Sequence, residues 1–142
     1  MPTVILPLFV YGSLRSGFQH PAYTYISRYF RLLGTAKVRG DLYDMGDYPA
    51  AIPTTEDHWI TGELYAINKD EEFPWAMGQL DDYEGINGEA DEPVLYRREK
   101  AIIYLNEESV ESWIYWFNGD VTGRSKIDCG DLLIYMKEKN KQ

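Results

Sequence analysis

One cysteine, two histidines and a shortage of cations set the first limits on this 142-residue chain. With Cys129 alone, no disulfide can form within the chain and no thiol cluster can hold zinc. His20 and His58 lie far apart in unlike surroundings, which argues against a metal site built on them. Lys and Arg number 14 against 23 Asp and Glu, a net charge of −9. That balance opposes any partner held by phosphate neutralisation, so no nucleic-acid partner is expected. Residues 1–10 lack the cationic segment of a signal peptide and include Pro7. No apolar run approaches bilayer length, so no membrane partner is expected and a cytoplasmic, reducing setting is. Missing too are a glycine-rich phosphate loop followed by lysine, Gly-x-Gly-x-x-Gly, and Gly-x-Ser-x-Gly. Ser13 has no evident histidine base, which leaves a serine nucleophile without support.

What the chain does have is aromatic weight, with 12 tyrosines and 4 tryptophans. This suits a β-rich fold around a lined cavity. Its length suits a single domain over residues 1–142, with Lys137, Lys139 and Lys141 in a frayed tail from about residue 137. Leu8 to Tyr11 reads as a buried strand, with Pro7 before it where a missing donor is tolerated. Gly12 to Gly17 reads as a loop. Pro21 suits a first helical position, and Tyr25, Ile26, Tyr29 and Phe30 form a helical stripe.

Strands are expected at Gly34 to Val38 and Asp41 to Met45, separated at Gly40, and again at Trp59 to Ile67. Tyr48 to Pro53 reads as an edge or extended segment. A helix capped by Asp70, with Pro74 in its first turn, should place Phe73, Met77, Leu80 and Tyr83 or Glu84 on one face and end at Gly85. Ile86 to Pro93 is an acidic loop. Arg98 to Leu105 and Val110 to Phe117 form a hairpin around residues 106–109, followed by a turn at Asn118-Gly119. A short helix at Asp131 to Lys137 closes the list. Many strands close in sequence, with few helices, favour a curled antiparallel or mixed sheet flanked by helices over a doubly wound parallel one.

Two segments suggest chemistry. Tyr11-Gly12-Ser13-Leu14 places a glycine turn with free N–H groups at the end of a strand, an arrangement that accepts an anion. Leu80-Asp81-Asp82-Tyr83-Glu84-Gly85 places a carboxylate at a helix C-terminus, where the dipole and neighbouring apolar rings disfavour its charge. Glu84 is therefore the candidate acid/base group, whereas Asp81 and Asp82 are expected to face solvent or cap backbone.

In Phe9-Val10-Tyr11-Gly12-Ser13-Leu14, Gly40-Asp41-Leu42-Tyr43, Tyr48-Pro49-Ala50, Gly62-Glu63-Leu64-Tyr65, Leu80 to Gly85, Tyr96-Arg97-Arg98 and Trp113-Ile114-Tyr115, the chain resembles the γ-glutamylcyclotransferase-like family, which includes plant avirulence-induced proteins. The resemblance runs in order over nearly the full length. It implies an α+β fold, a small mixed β-barrel flanked by helices, and cyclisation of a γ-glutamyl amine or γ-glutamyl amino acid to 5-oxoproline. It implies Glu84 as general acid/base, and Tyr11, Gly12, Ser13, Leu14 and Tyr115 as substrate-binding residues, with no metal or organic cofactor. Local donors, with Arg15 or Arg97 as candidates, would have to attract an anionic substrate to this acidic chain. The family often carries Ser-Gly-Asp-Trp where this chain has Cys129-Gly130-Asp131-Leu132, a change expected to alter packing and one cavity wall. A non-catalytic binding domain, or removal of a γ-glutamyl protecting group in biosynthesis, stays open as an alternative.

Overall fold

The computed structural model describes residues 5–11, 26–45, 49–83 and 96–139. Among the described residues there are seven strands: β1 (Leu8–Val10), β2 (Phe30–Asp44), β3 (Pro49–Pro53), β4 (Trp59–Ile67), β5 (Tyr96–Leu105), β6 (Glu108–Phe117) and β7 (Ser125–Lys126). Helix α1 is described at residues 26–29, α2 spans Phe73–Tyr83 after a 3-10 turn at Asp70–Glu72, and α3 spans Leu132–Lys139. No helix among the described residues is long and apolar enough to cross a membrane.

The strands close on themselves in the order β2-β4-β1-β6-β5, with β5 returning to β2 through Lys37 and Tyr104. All neighbours in this five-stranded barrel run antiparallel except β1 and β6, which are parallel at Leu8 and Trp113. The barrel is therefore mixed, as expected. β1 has only three residues, yet Leu8 and Phe9 are fully buried and Val10 nearly so. A strand this short holds its place because both edges are paired and both faces are covered. Trp113 N–H and Ser112 Oγ also donate to the Pro7 carbonyl, at 2.9 and 3.0 Å.

Side-chain alternation sorts the core into two layers. Phe9, Val38, Ile60, Leu64, Ile114 and Trp116 fill the barrel interior. Leu8, Val10 and Tyr65 point outward and are covered by Ile26 of α1 and by Met77 and Leu80 of α2. The interior is plugged by the segment between β7 and α3. Ile127 N–H donates to Leu42 O at 2.7 Å, Thr61 N–H to Gly130 O at 2.7 Å, and both Ile127 and Leu132 are buried.

Several expectations need correction. The two strands expected on either side of Gly40 are one 15-residue strand, β2. Gly40 marks a close approach rather than a break, since a Cβ there would lie 2.7 Å from Ile60 Cδ1 and 3.0 Å from Ile52 O. β2 changes partner at this point, from β4 to β3. Phe30, expected on a helix, begins β2 and pairs with Ile67. The β5–β6 turn is tighter than expected: Leu105 pairs with Glu108, and Asn106 takes a left-handed φ of 58°, which asparagine tolerates well.

Asp70 lies in the 3-10 turn, with Lys69 as its cap and no side-chain capping bond. Asp131 is instead a cap, its Oδ1 accepting from Ile134 N–H at 3.3 Å before α3. Lys137 and Lys139 fall within α3. The two-residue β7 was not foreseen. Pro21 and the loop Ile86 to Pro93 lie outside the described residues.

Candidate active site

β1 ends where the proposed anion-accepting loop begins, and Tyr11 is its last described residue. Only 6% exposed, Tyr11 packs in the barrel interior with Trp116 and Leu132 and donates its hydroxyl to the Tyr115 carbonyl. That bond joins two of the sequence-predicted binding residues across the β1–β6 edge. The Tyr115 side chain faces the other way, into the outer layer with Val10, Tyr96 and the α2 residues Met77 and Leu80. Gly12, Ser13, Leu14 and Glu84 lie outside the described residues, as do Arg15 and Tyr48. α2 itself is described through Tyr83, the residue before Glu84. Ala76, Met77 and Leu80 are its buried face, which anchors the helix end against the β1, β4 and β6 wall.

The Pro49-Ala50 segment reaches the same wall. Ala50 is fully buried in the outer layer, and the Tyr96 hydroxyl donates to the Pro49 carbonyl at 2.7 Å. Of the cations considered for the substrate, Arg97 is described. Its Nε–H is shared between the two Glu99 oxygens at 3.1 Å, and Nη1 donates to Phe117 O at 3.1 Å. The guanidinium thus ties β5 to the end of β6. Leu132, the departure from the family's tryptophan, is buried in the same interior cluster as Tyr11.

A second polar cluster surrounds a groove of about 430 Å³ lined by residues that include Asp41, His58, Lys126 and Cys129. His58 Nδ1 and Lys126 Nζ both contact Asp41 Oδ1, at 2.8 and 3.0 Å. The hydrogen bond that Lys126 donates to Asp41 is the main cause that raises its ammonium above the ordinary lysine range. Among the described residues no three His, Cys, Asp or Glu side chains gather as metal ligands.

The geometry can be set beside known proteins. The family model described as gamma-glutamyl cyclotransferase, AIG2-like, matches residues 8–133. The chain belongs to this family. A Methanocaldococcus jannaschii protein named "Putative gamma-glutamylcyclotransferase MJ1514" is 31% identical over 112 residues, which covers 78% of this chain and 82% of the relative. The same AIG2-like fold recurs in the crystal structure of YkqA from Bacillus subtilis, with a TM-score of 0.71 and 19% identity over 96% of this chain. The chain spans 43% of YkqA's length. Uncharacterized protein PH0828 from Pyrococcus horikoshii gives a TM-score of 0.69 at 18% identity and is covered over 98% of its length.

One buried carboxylate of this AIG2-like barrel lies outside the residues expected for the site. Glu63 lies on β4 directly opposite Val10 of β1, and it is only 8% exposed. Its Oε1 accepts from the Tyr65 hydroxyl at 2.9 Å. The signal was present in the strand pattern: Glu63 shares a face with Tyr65 and Ile67, which makes it a carboxylate on a buried face.

Proposed function

We propose that the protein is a γ-glutamylcyclotransferase that converts a γ-glutamyl amine or γ-glutamyl amino acid to 5-oxoproline and the free amine. The observation that carries this reading is the family match across residues 8–133, which includes both the Tyr11 strand end and the Leu80 to Gly85 segment. The name of the methanogen relative supports the same class.

The chemistry asks for few parts. The substrate's α-amine attacks its own γ-carbonyl, and an ammonium has no lone pair, so a base must first take a proton. The leaving amine departs poorly as an anion, so an acid must then supply one. A single carboxyl group can do both in turn, and Glu84 is assigned that role. In the sequence Glu84 directly follows Tyr83, the last residue of α2.

Backbone N–H groups of Tyr11, Gly12, Ser13 and Leu14 are assigned to the substrate's α-carboxylate. Holding that group fixes the amine near the carbonyl, and the lost freedom of the chain is met on binding rather than in the reaction. The Tyr11 to Tyr115 bond fixes the start of this loop to β6. Tyr115 is assigned to the cavity wall.

The test is 5-oxoproline release from γ-glutamyl-alanine, γ-glutamyl-ε-lysine, a γ-glutamyl alkylamine and glutathione. Turnover is expected on at least one, with a loss on the order of 10²- to 10⁴-fold in Glu84→Gln. Near-normal turnover in a folded Glu84→Gln protein removes Glu84 from the mechanism. Ligand binding without product would place the chain among non-catalytic binding domains.

A further inference from the structure

β5 joins β2 at Tyr104 opposite Lys37, and β3 takes up pairing with β2 from Pro53 opposite Gly40. Pro53 ends β3 and has no N–H with which to continue a ladder. β5 parts from β2 beside this proline, and a groove of about 340 Å³ opens between the strands. Its floor is made by residues of the barrel interior. Val38 and Trp116 are almost fully buried there, and Ala101 packs against the same cluster. Ile102 at the lip is half exposed. A groove of this size, apolar at its base and open at its mouth, suits the body of a small molecule.

The charge around the mouth is unlike that of the rest of the chain. Lys37, Arg39 and Lys100 are exposed, and strand alternation sets them together on the outer face of the barrel. Acidic residues outnumber basic ones by 23 to 14, yet none of these cations meets a carboxylate among the described residues. Their heads rest on aromatic rings instead. Lys37 Nζ and Arg39 Cζ lie 4.7 and 4.8 Å from the Trp59 ring centroid, and Lys100 Nζ lies 5.5 Å from that of Trp113. Arg39 Nη1 also donates to Glu56 O at 3.0 Å. Stacking at exposed positions is weak, so a bound anion can draw these heads to itself. Glu99, the carboxylate in the groove lining, is already engaged by Arg97 Nε at 3.1 Å. Glu111 shares the outer face but belongs to β6, opposite Ile102.

We propose that the groove between β2 and β5 binds a small organic anion, a carboxylate carried on an aromatic or medium-length acyl body. The apolar body lies on Val38, Ala101 and Trp116, and the carboxylate meets Arg39 and Lys100 at the mouth. Lys37, two residues from Arg39 on the same face of β2, adds attraction at longer range. This site is separate from the cyclotransferase reading, because no residue assigned to that reaction takes part in it.

The test follows the dye anilinonaphthalenesulfonate, an anion with an aromatic body, by its fluorescence on the protein. Octanoate should displace it. Octanamide, uncharged and of the same length, should need a concentration at least about 10-fold higher. Arg39→Gln combined with Lys100→Gln should weaken octanoate by about 10-fold or more and leave octanamide within about 2-fold. Both positions are exposed, so the double variant should melt as the wild type does. Ile102→Glu sets a carboxylate on the lip and should weaken octanoate likewise, which serves if the double variant does not fold. Octanoate affinity unchanged in these variants, or octanamide displacing the dye as well as octanoate, overturns the proposal. So does a wild-type protein that binds no dye, or one from which octanoate displaces none.

Discussion

At the scale of single residues, the described edge of the candidate site carries buried polar bonds. The Tyr11 hydroxyl on the Tyr115 carbonyl is the clearest, since both side chains are almost fully buried. Removing the donor in Tyr11→Phe deprives a buried carbonyl of that bond. The expected cost is about 1–3 kcal/mol, read as a lower urea midpoint with an unchanged slope. Tyr11 is legible in the sequence as the close of an apolar strand, with an apolar body to bury and a hydroxyl to place, whereas Tyr115 enters through the family resemblance alone. Glu63 was passed over because an isolated glutamate in a strand usually faces water. Its burial on the face of β4 that carries Tyr65 and Ile67 shows that it does not.

At the scale of elements, α2 and the α3 entrance place opposite demands on glycine. Gly78 lies inside α2, and a Cβ there would meet nothing within 4 Å. Gly78→Ala should therefore stabilise the protein by about 0.5–1 kcal/mol, seen as a higher melting temperature. Gly130 has a φ of 69°, and a Cβ on it would lie 1.9 Å from Trp59 O. Gly130→Ala must disturb the bond from Thr61 N–H as well as its own backbone, and melting should fall sharply. The apolar spacing of Phe73, Met77 and Leu80 made α2 readable, because a helix that buries one face must repeat that way. β2 was misread because a glycine at a close contact and a glycine at a turn look alike in sequence. The difference lies in Ile60 and Ile52, which are distant in the chain and adjacent in space.

For the whole molecule, the barrel is closed unevenly. β5 pairs with β6 from Tyr96 opposite Phe117 to Leu105 opposite Glu108, whereas β5 meets β2 only at Lys37 and Tyr104. Hydrogen exchange should show this: β5 amides directed at β2 should exchange well before those directed at β6. Equal protection along both edges would contradict the seam. The barrel class was foreseeable from the number and spacing of strands, but its order was not. Nothing local tells β1 to lie parallel to a strand about a hundred residues later, because that choice is made by the shared interior and not by a turn.

That parallel edge also bears on how the protein is made. Of the described strands β1 leaves the ribosome first, well before its partner β6. Until Trp113 and Tyr115 have been synthesised and released, Leu8 has no parallel neighbour and the Tyr11 hydroxyl has no Tyr115 carbonyl. A nascent chain that stops short of β6 therefore exposes an unpaired apolar strand edge, and the fold makes translation to its far end the condition for a working site.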